Sequence, residues 1–327
     1  MSLPRVRQAP AARARGFKGI VNAVCAKIAP RLPWSVQRTL LAALADEIGA
    51  ANVIHAVGRR LRIQAVTVEG DNGVVSGPLW DMNAEAYGLL ARYAEEGTWA
   101  AETVRAFTEL FGKHDQGTFL DIGANIGLTL IPVARCQHVR CYGFEPDPWN
   151  FQYLSENIAR NCPDRNVAIR HTALYDQAGT LLLGLSETNC GDHQLMQNGD
   201  RSRRTVPVPV SRLDDLLDVS TLPRPIAAKI DTQGAEPGIF AGGAAVLAEA
   251  SLLSLEFSPS HMRRLHGDVD FELQFLAGHF SEGTITAGDS EARASPRPIG
   301  EIVSELRRHW EDPAIGKRYF DVVVWRS

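Results

Sequence analysis

The chain has 327 residues, 45% hydrophobic and 22% charged, an ordinary globular composition that allows one large domain or one domain with an appendage. Its five cysteines, at 25, 136, 141, 162 and 190, form no CxxC pair, which argues against a disulfide framework or structural zinc and for a reducing, cytoplasmic setting. No apolar run reaches the roughly 18 residues of a membrane span, and charge is uneven: residues 1–65 hold eleven Lys/Arg against two acids, a balance of +9, leaving −13 for the rest of a chain whose net charge is −4.

Residues 1–60 read as helical, with QRTLLAALADEIG the clearest amphipathic stretch. Basic residues ahead of GIVNAVCA imitate a signal peptide, but the apolar stretch is short and Lys27 follows it, so that reading is rejected. LRIQAVTVEGDNGVVSG then alternates apolar and polar residues around Asp71-Asn72-Gly73, a hairpin signal. Residues 1–80 are therefore expected to form a basic, helical N-terminal extension ending in a hairpin, and residues 81–327 the main domain. A basic arm on an acidic body attracts anionic surfaces or a partner. The arm has no dense Lys/Arg cluster. Packing against the body, as a lid or as a homo-oligomer contact, is thus preferred to peripheral membrane contact, and no nucleic-acid partner is expected.

NAEAYGLLARYAEEG predicts a helix with Asn83 as N-cap and Gly97 as its stop. WAAETVRAFTELFGK predicts a second, with Trp99, Val104, Phe107, Leu110 and Phe111 near one face. From about residue 117, short apolar runs alternate with helical segments: TFLDIG, VRCYGFEP, VAIRHTAL, IAAKID and SLLSLEFS. This is the pattern of βαβ units in a parallel sheet. One intervening helix is expected over 148–160, after Asp147 and with Pro148 in its first turn. Another begins near Pro237. GTLLLGLSE and RTVPVPVSR flank a polar stretch and predict a hairpin-like insertion, and KRYFDVVVWRS reads as a last strand, antiparallel on the sheet edge.

In an open α/β sheet, ligands bind beyond the carboxyl ends of the strands, so the informative residues follow each apolar run. The first run leads into Asp121-Ile-Gly123-Ala-Asn125-Ile-Gly127. Its glycines permit unusual φ and close approach of a ligand. A dinucleotide site would show G-x-G-x-x-G; here one glycine fewer is preceded by an acid, which repels phosphate and suits an ammonium group. Glu145 follows the second run, 24 residues beyond Asp121, the spacing at which an acid accepts ribose hydroxyls. Ala173 and Leu174 end the third run and offer backbone and a flat apolar surface to an adenine ring, while His171 in the same run has no assigned role. Asp231 ends the fourth run, before Gly234, and Glu236 reads as a charge at a helix N-terminus. Glu256 lies near the end of an apolar fifth run, where it needs a partner or a task.

With these residues assembled, the chain resembles the FkbM-type family of S-adenosylmethionine-dependent methyltransferases. The matching pieces are FLDIGANIG, GFEPDPWNFQYLSENIARN, ALYDQAGTLLL, VPVSRLDDLL, KIDTQGAEPGIFAGG and LLSLEFSPSHM, in order over residues 117–262. The resemblance implies a Rossmann-like class I methyltransferase sheet, mostly parallel with its last strand antiparallel. It implies S-adenosylmethionine held by Asp121, Gly123, Asn125 and Gly127, with Glu145 on the ribose and Ala173 and Leu174 beside the adenine. It further implies O-methylation of a sugar, glycan or other natural-product hydroxyl. Gln233 stands where many relatives have Glu, and Pro132 implies a kinked or displaced helix after the glycine loop.

A hydroxyl acceptor needs a general base, for which the sequence offers Asp231, Glu256, His193 and His261. His193 and Asn189 lie in the polar segment SETNCGDHQL, suited to covering a site. Asp231 is also the one candidate ligand for a divalent metal; no second and third carboxylate accompany it at convincing spacing, so no metal residue is assigned. Two rivals stand beside this reading: a nicotinamide-dependent oxidoreductase, opposed by the missing glycine and by Asp121, and a non-catalytic docking module with a degenerate donor site, opposed by the intact loop and Glu145.

Overall fold

In the computed structural model, residues 64–83, 88–197, 200, 202–288 and 294–326 are described. The helices expected over 1–60, and with them nearly all of the basic arm, lie outside these residues. The chain divides into two compact units, one comprising 1–99 with 187–191, the other 100–186 with 192–327.

In the first unit, β1 (Ala65–Gly70) and β2 (Gly73–Pro78) form the expected hairpin, antiparallel, with Gly70 opposite Gly73 across the Asp71-Asn72 turn. Helix α1 (Leu89–Glu96) stops where Gly97 adopts a left-handed φ of 73° and its N–H bonds the Tyr93 carbonyl. Its start differs from expectation: the N-cap is Gly88, not Asn83. The reason is Asp81, fully buried, whose carboxylate accepts the Leu90 N–H at 2.6 Å and the Cys190 N–H at 2.8 Å. A remote acid thus satisfies the helix terminus that a local cap would otherwise serve. Burial pushes its carboxyl up to about 6, against the lowering effect of those bonds.

The second unit opens with α2 (Ala101–Phe111), which buries Phe107 and Phe111 against Phe119; Val104 and Leu110 are only partly covered. The strands β3 (Gly117–Ile122), β4 (Val139–Phe144) and β5 (Val167–Arg170) follow, separated by α3 (Leu130–Ala134) and α4 (Pro148–Asn161). Helix α3 begins three residues beyond Gly127 with Pro132 in its first turn, the displaced start that Pro132 implied. Helix α4 carries Pro148 in its first turn and is capped by Asp147, as expected.

An insertion then builds a small sheet from β6 (Ala173–Leu174), β7 (Gly179–Leu185), β8 (Gln194–Met196) and β9 (Arg204–Ser211), in the order β6-β9-β7-β8. The predicted pairing of β7 with β9 is present, antiparallel from Gly179 opposite Val210 to Leu185 opposite Arg204. The intervening stretch is more than a polar tip, since it contributes the fully buried strand β8. Pro207 and Pro209 are tolerated in β9 because, away from β7, that strand is paired only at Val210 and Ser211.

The chain returns to the main sheet with β10 (Ile226–Ile230), α5 (Glu236–Gly242), β11 (Ala250–Phe257), α6 (Asp270–His279), β12 (Glu282–Ala287), β13 (Arg297–Pro298), α7 (Ile299–Glu311) and β14 (Phe320–Trp325). The order is β13-β12-β14-β11-β10-β3-β4-β5. The five strands β5, β4, β3, β10 and β11 run parallel, and β3 and β10 are buried at every position. Strands covered on both faces read as unbroken apolar runs. β14 is antiparallel, as expected, but it is not on the edge. It lies between β11 and β12 and pairs with both over six residues. Its alternating valines, Val322 and Val324, are buried, which fits an interior strand. The sheet is Rossmann-like, mostly parallel with β14 antiparallel, the arrangement that the family resemblance implies, and no helix among the described residues is long and apolar enough to cross a membrane.

Candidate functional site

β3 and β10 are neighbours, yet the chain leaves them in opposite directions across the sheet, β3 towards β4 and β10 towards β11. Their exit loops diverge and open a crevice at the carboxyl ends. In the first loop Gly123, Asn125 and Gly127 have φ of 82°, 50° and 99°. Gly123 is dictated by closeness as well as by φ, for a Cβ there would stand 2.0 Å from the Asp231 carbonyl oxygen. Phe144 O accepts the N–H groups of Gly123 and Ala124, Asn125 Oδ1 accepts that of Ile126, and Asn157 Nδ2 donates to Ile126 O.

Glu145 closes this loop from β4. Its Oε2 accepts the Asn125 N–H and its Oε1 the Asp147 N–H, each at 2.8 Å. Two such bonds leave the carboxylate with further lone pairs for hydroxyl donors. Burial pushes its carboxyl up to about 8, since the hydrogen bonds only partly offset the lost hydration. Asp147 spends Oδ1 on the first turn of α4, and its buried Oδ2 has no partner.

Between the two loops stands Lys229, directly across from Asp121 in the β10–β3 register. Its ammonium lies 3.5 Å from Asp121, 3.3 Å from Asp231 and 3.3 Å from the Gly123 carbonyl. Burial works against the ammonium, but the two carboxylates overcome it and hold the Lys229 pKa above its ordinary value. Burial likewise raises Asp121 to about 6, with Lys229 pulling it back. Both Asp121 oxygens are buried, with Lys229 as their ion-pair partner. Asp231 is the accessible member, its side chain 36% exposed, and its Oδ1 accepts from Gln233 Nε2 at 3.1 Å. Sequence reasoning missed Lys229. The signal was a lysine inside the apolar run IAAKI, where a buried cation requires carboxylates beside it.

The β10 exit loop holds Gln233 and Gly234 at φ of 59° and 114°. Glu236, fully buried, fastens it: Oε1 accepts from the Thr232 N–H and hydroxyl, and Oε2 from the Gly234 N–H. This is a structural brace, beyond the helix-terminal charge read from the sequence. Glu256 faces Asp321 across the β11–β14 register. Burial, then the charges of Asp231, Glu236 and Asp321, drive its carboxyl well up, while a hydrogen bond from Gln233 lowers it. Glu256 is thereby held towards its neutral form, a hydrogen-bond donor more than a base.

His193 accepts the Ser186 N–H on Nδ1 at 3.0 Å, which leaves the ring proton of the neutral form on Nε2. Burial lowers its pKa and that of His261, whose buried Nδ1 has no partner. Asn189 accepts the Gly191 N–H in a local turn within the first unit. Ala173 and Leu174 lie in β6 within the hydrophobic core, so their side chains underlie the site more than they line it. His171 bonds the Pro146 carbonyl and stacks on Phe151, a structural role. No group of three His, Cys, Asp or Glu side chains that could hold a metal ion occurs among the described residues.

Residues 121–281 match the family model described as Methyltransferase FkbM domain, a span that takes in the loop from Asp121 to Gly127, Glu145, Asp231 and Glu256. This chain carries an FkbM methyltransferase domain. It is 25% identical over 252 residues to "Hexuronic acid methyltransferase AglP" of Haloferax volcanii, covering 73% of this chain and 90% of the relative. Among solved structures it is similar to a putative O-methyltransferase from Klebsiella pneumoniae, with TM-score 0.38, 14% identity, and 70% and 81% of the two chains covered. The putative transferase PH0793 from Pyrococcus horikoshii gives TM-score 0.40 at 8% identity, covering 95% of this chain and 100% of that one. At these scores neither structure informs the site.

Proposed function

We propose that this FkbM methyltransferase moves a methyl group from S-adenosylmethionine to a hydroxyl of a sugar or glycan. The observation that carries the reading is the clamp of Lys229 between Asp121 and Asp231, at the point where the left-handed loop Gly123–Gly127 meets Glu145. The residues suit the donor. Asp121, buried and paired with Lys229, places negative charge beneath the loop where the donor's ammonium group would lie, and Glu145 retains lone pairs for the ribose. Asn125 and the two glycines bring backbone close to the bound nucleoside, with Ala173 and Leu174 supporting the adenine from below. S-adenosylmethionine supplies an electrophilic methyl group on its sulfonium.

The chain's own residues then have to orient the acceptor, exclude water and take a proton. Asp231, the accessible carboxylate, accepts the proton of the acceptor hydroxyl as its oxygen takes the methyl group. Lys229 and Gln233 hold Asp231 in place. Glu256 and His193, both kept towards neutral forms, donate hydrogen bonds to the acceptor. The sugar assignment draws support from the relative whose name specifies a hexuronic acid. The free state of the four described cysteines supports a cytoplasmic setting.

Titration calorimetry with S-adenosylhomocysteine and with NAD tests the donor. We expect saturable binding of the first and none of the second. NAD binding with no response to S-adenosylhomocysteine would return the chain to the oxidoreductase reading.

A further inference from the structure

The segment after β11 and the insertion meet through side chains that the methyl-transfer reading does not use. Buried Gln194 accepts from the Arg264 guanidinium through Oε1 and donates to Asp192 Oδ1 at 3.2 Å. Arg203 donates to the Asp192 carbonyl and, at 2.8 Å, to its carboxylate. The chain Arg203–Asp192–Gln194–Arg264 therefore ties the insertion to the residues following β11. One turn before Arg264 lies His261, whose carbonyl accepts the Arg264 N–H. His261 abuts the loop that follows Asp231: a Cβ on Gly234 would stand 2.8 Å from the His261 carbonyl carbon and oxygen. Arg264 is thus placed beside the loop that follows Asp231.

The charges in this corner are unbalanced. Asp192 is paired with Arg203, whereas the guanidinium hydrogen bond of Arg264 goes to the neutral amide of Gln194, and the carboxylate of Asp200 acts on both cations. Lys317 forms no ion pair among the described residues, and Arg264, Arg203 and Lys317 all bear on the His261 ring, with Asp192 as the one opposing charge. Three cations against the two carboxylates Asp192 and Asp200 leave this corner positive, on a chain that carries −13 beyond residue 65. An exposed guanidinium that forms no ion pair among the described residues is a ready partner for a planar anion, which it grips with two parallel N–H groups. The unpartnered Nδ1 of His261 adds a polar atom to the same corner.

We propose that Arg264, backed by Arg203 and by the more distant charge of Lys317, forms a subsite for an anionic group on the acceptor sugar, its carboxylate in a uronic acid. The acceptor's charge would anchor the ring on this side and deliver a hydroxyl to Asp231. The proposal rests on the methyl-transfer reading of the same crevice and adds the substrate class.

The test uses the full chain saturated with S-adenosylhomocysteine and three probes: methyl β-D-glucuronide, methyl β-D-glucoside and glucose 6-phosphate. Calorimetry should show the glucuronide binding about tenfold tighter than the glucoside, one charge-assisted contact's worth, with the advantage shrinking as salt rises. Arg264→Gln should remove that advantage while leaving S-adenosylhomocysteine affinity unchanged and lowering the melting temperature by no more than a few degrees, the loss of one hydrogen bond to Gln194. Lys317→Gln should reduce it in part. A glucose 6-phosphate preference that also depends on Arg264 would support the anion subsite and name phosphate as its occupant. Equal affinity for the neutral glucoside, no binding of any probe, or unchanged affinities in both variants would overturn the subsite. Failure of S-adenosylhomocysteine to bind is a separate result and would count against the donor reading instead.

Discussion

Lys229 shows how one buried charge can organise a site. It touches Asp121, Asp231 and the Gly123 carbonyl, and so links the glycine loop to the accessible carboxylate. Removing one partner of a buried ion pair leaves an uncompensated charge, at a cost of about 3–5 kcal/mol. Lys229→Met should therefore lower stability by an amount in that range in urea unfolding and also weaken S-adenosylhomocysteine binding; wild-type values for both would show that the clamp is dispensable. Asp231→Asn makes the complementary case. It preserves shape and removes the charge, so donor-analogue affinity should stay within a few-fold while methyl transfer falls by about 10²-fold or more, as for loss of a general base. A variant that still turned over at the wild-type rate would reassign the proton acceptor, with His261 next in line.

Elements here are held by acids placed at their ends. Asp147 caps α4 from the adjacent position, as its sequence suggests, whereas Asp81 serves the start of α1 from nine residues away and also holds Cys190. Asp81→Ala would leave two buried N–H groups unsatisfied, a loss of about 2–4 kcal/mol. Hydrogen exchange should register it as faster exchange at Leu90 and Cys190, with the β3 and β10 amides unaffected; uniform acceleration across both units would contradict a local role. Glu236 does comparable work on the β10 exit loop, where three donors converge on one carboxylate and keep Gln233 and Gly234 in left-handed backbone.

At the scale of the whole molecule, the buried carboxyls set a pH dependence. Glu145 and Glu236 are raised to about 8 and about 7 from an ordinary 4.5. A native group that keeps its proton longer than the unfolded chain binds more protons in that window, so stability declines as pH rises through it. The histidines with lowered pKa act oppositely, but their contribution is complete once pH exceeds the ordinary value of 6.5. The ligand-free protein should accordingly melt a few degrees lower at pH 8.5 than at pH 7, and Glu145→Gln should flatten the difference. A melting temperature that rises over that interval would mean that these carboxyls are already ionised at neutral pH.

The order of runs, the left-handed glycine loop and the strand-end positions of Glu145 and Asp231 were legible because local chemistry writes them. Strands buried on both faces must be apolar along their length, left-handed loops need glycine or asparagine, and strand-end acids sit at a recurring offset. The cap of α4 was legible for the same reason, since Asp147 and Pro148 lie beside the helix they start. Other features depend on partners distant in sequence. The interior place of β14 depends on α7 and β13 carrying the chain past β12. The true start of α1 depends on Asp81, and the strand hidden in the polar insertion on the register of β7. The pairing of Lys229 with Asp121 crosses more than a hundred residues. Only tertiary structure could decide these, because a buried charge or an unpaired backbone group is satisfied by whatever folding brings next to it, and sequence order does not encode that neighbour.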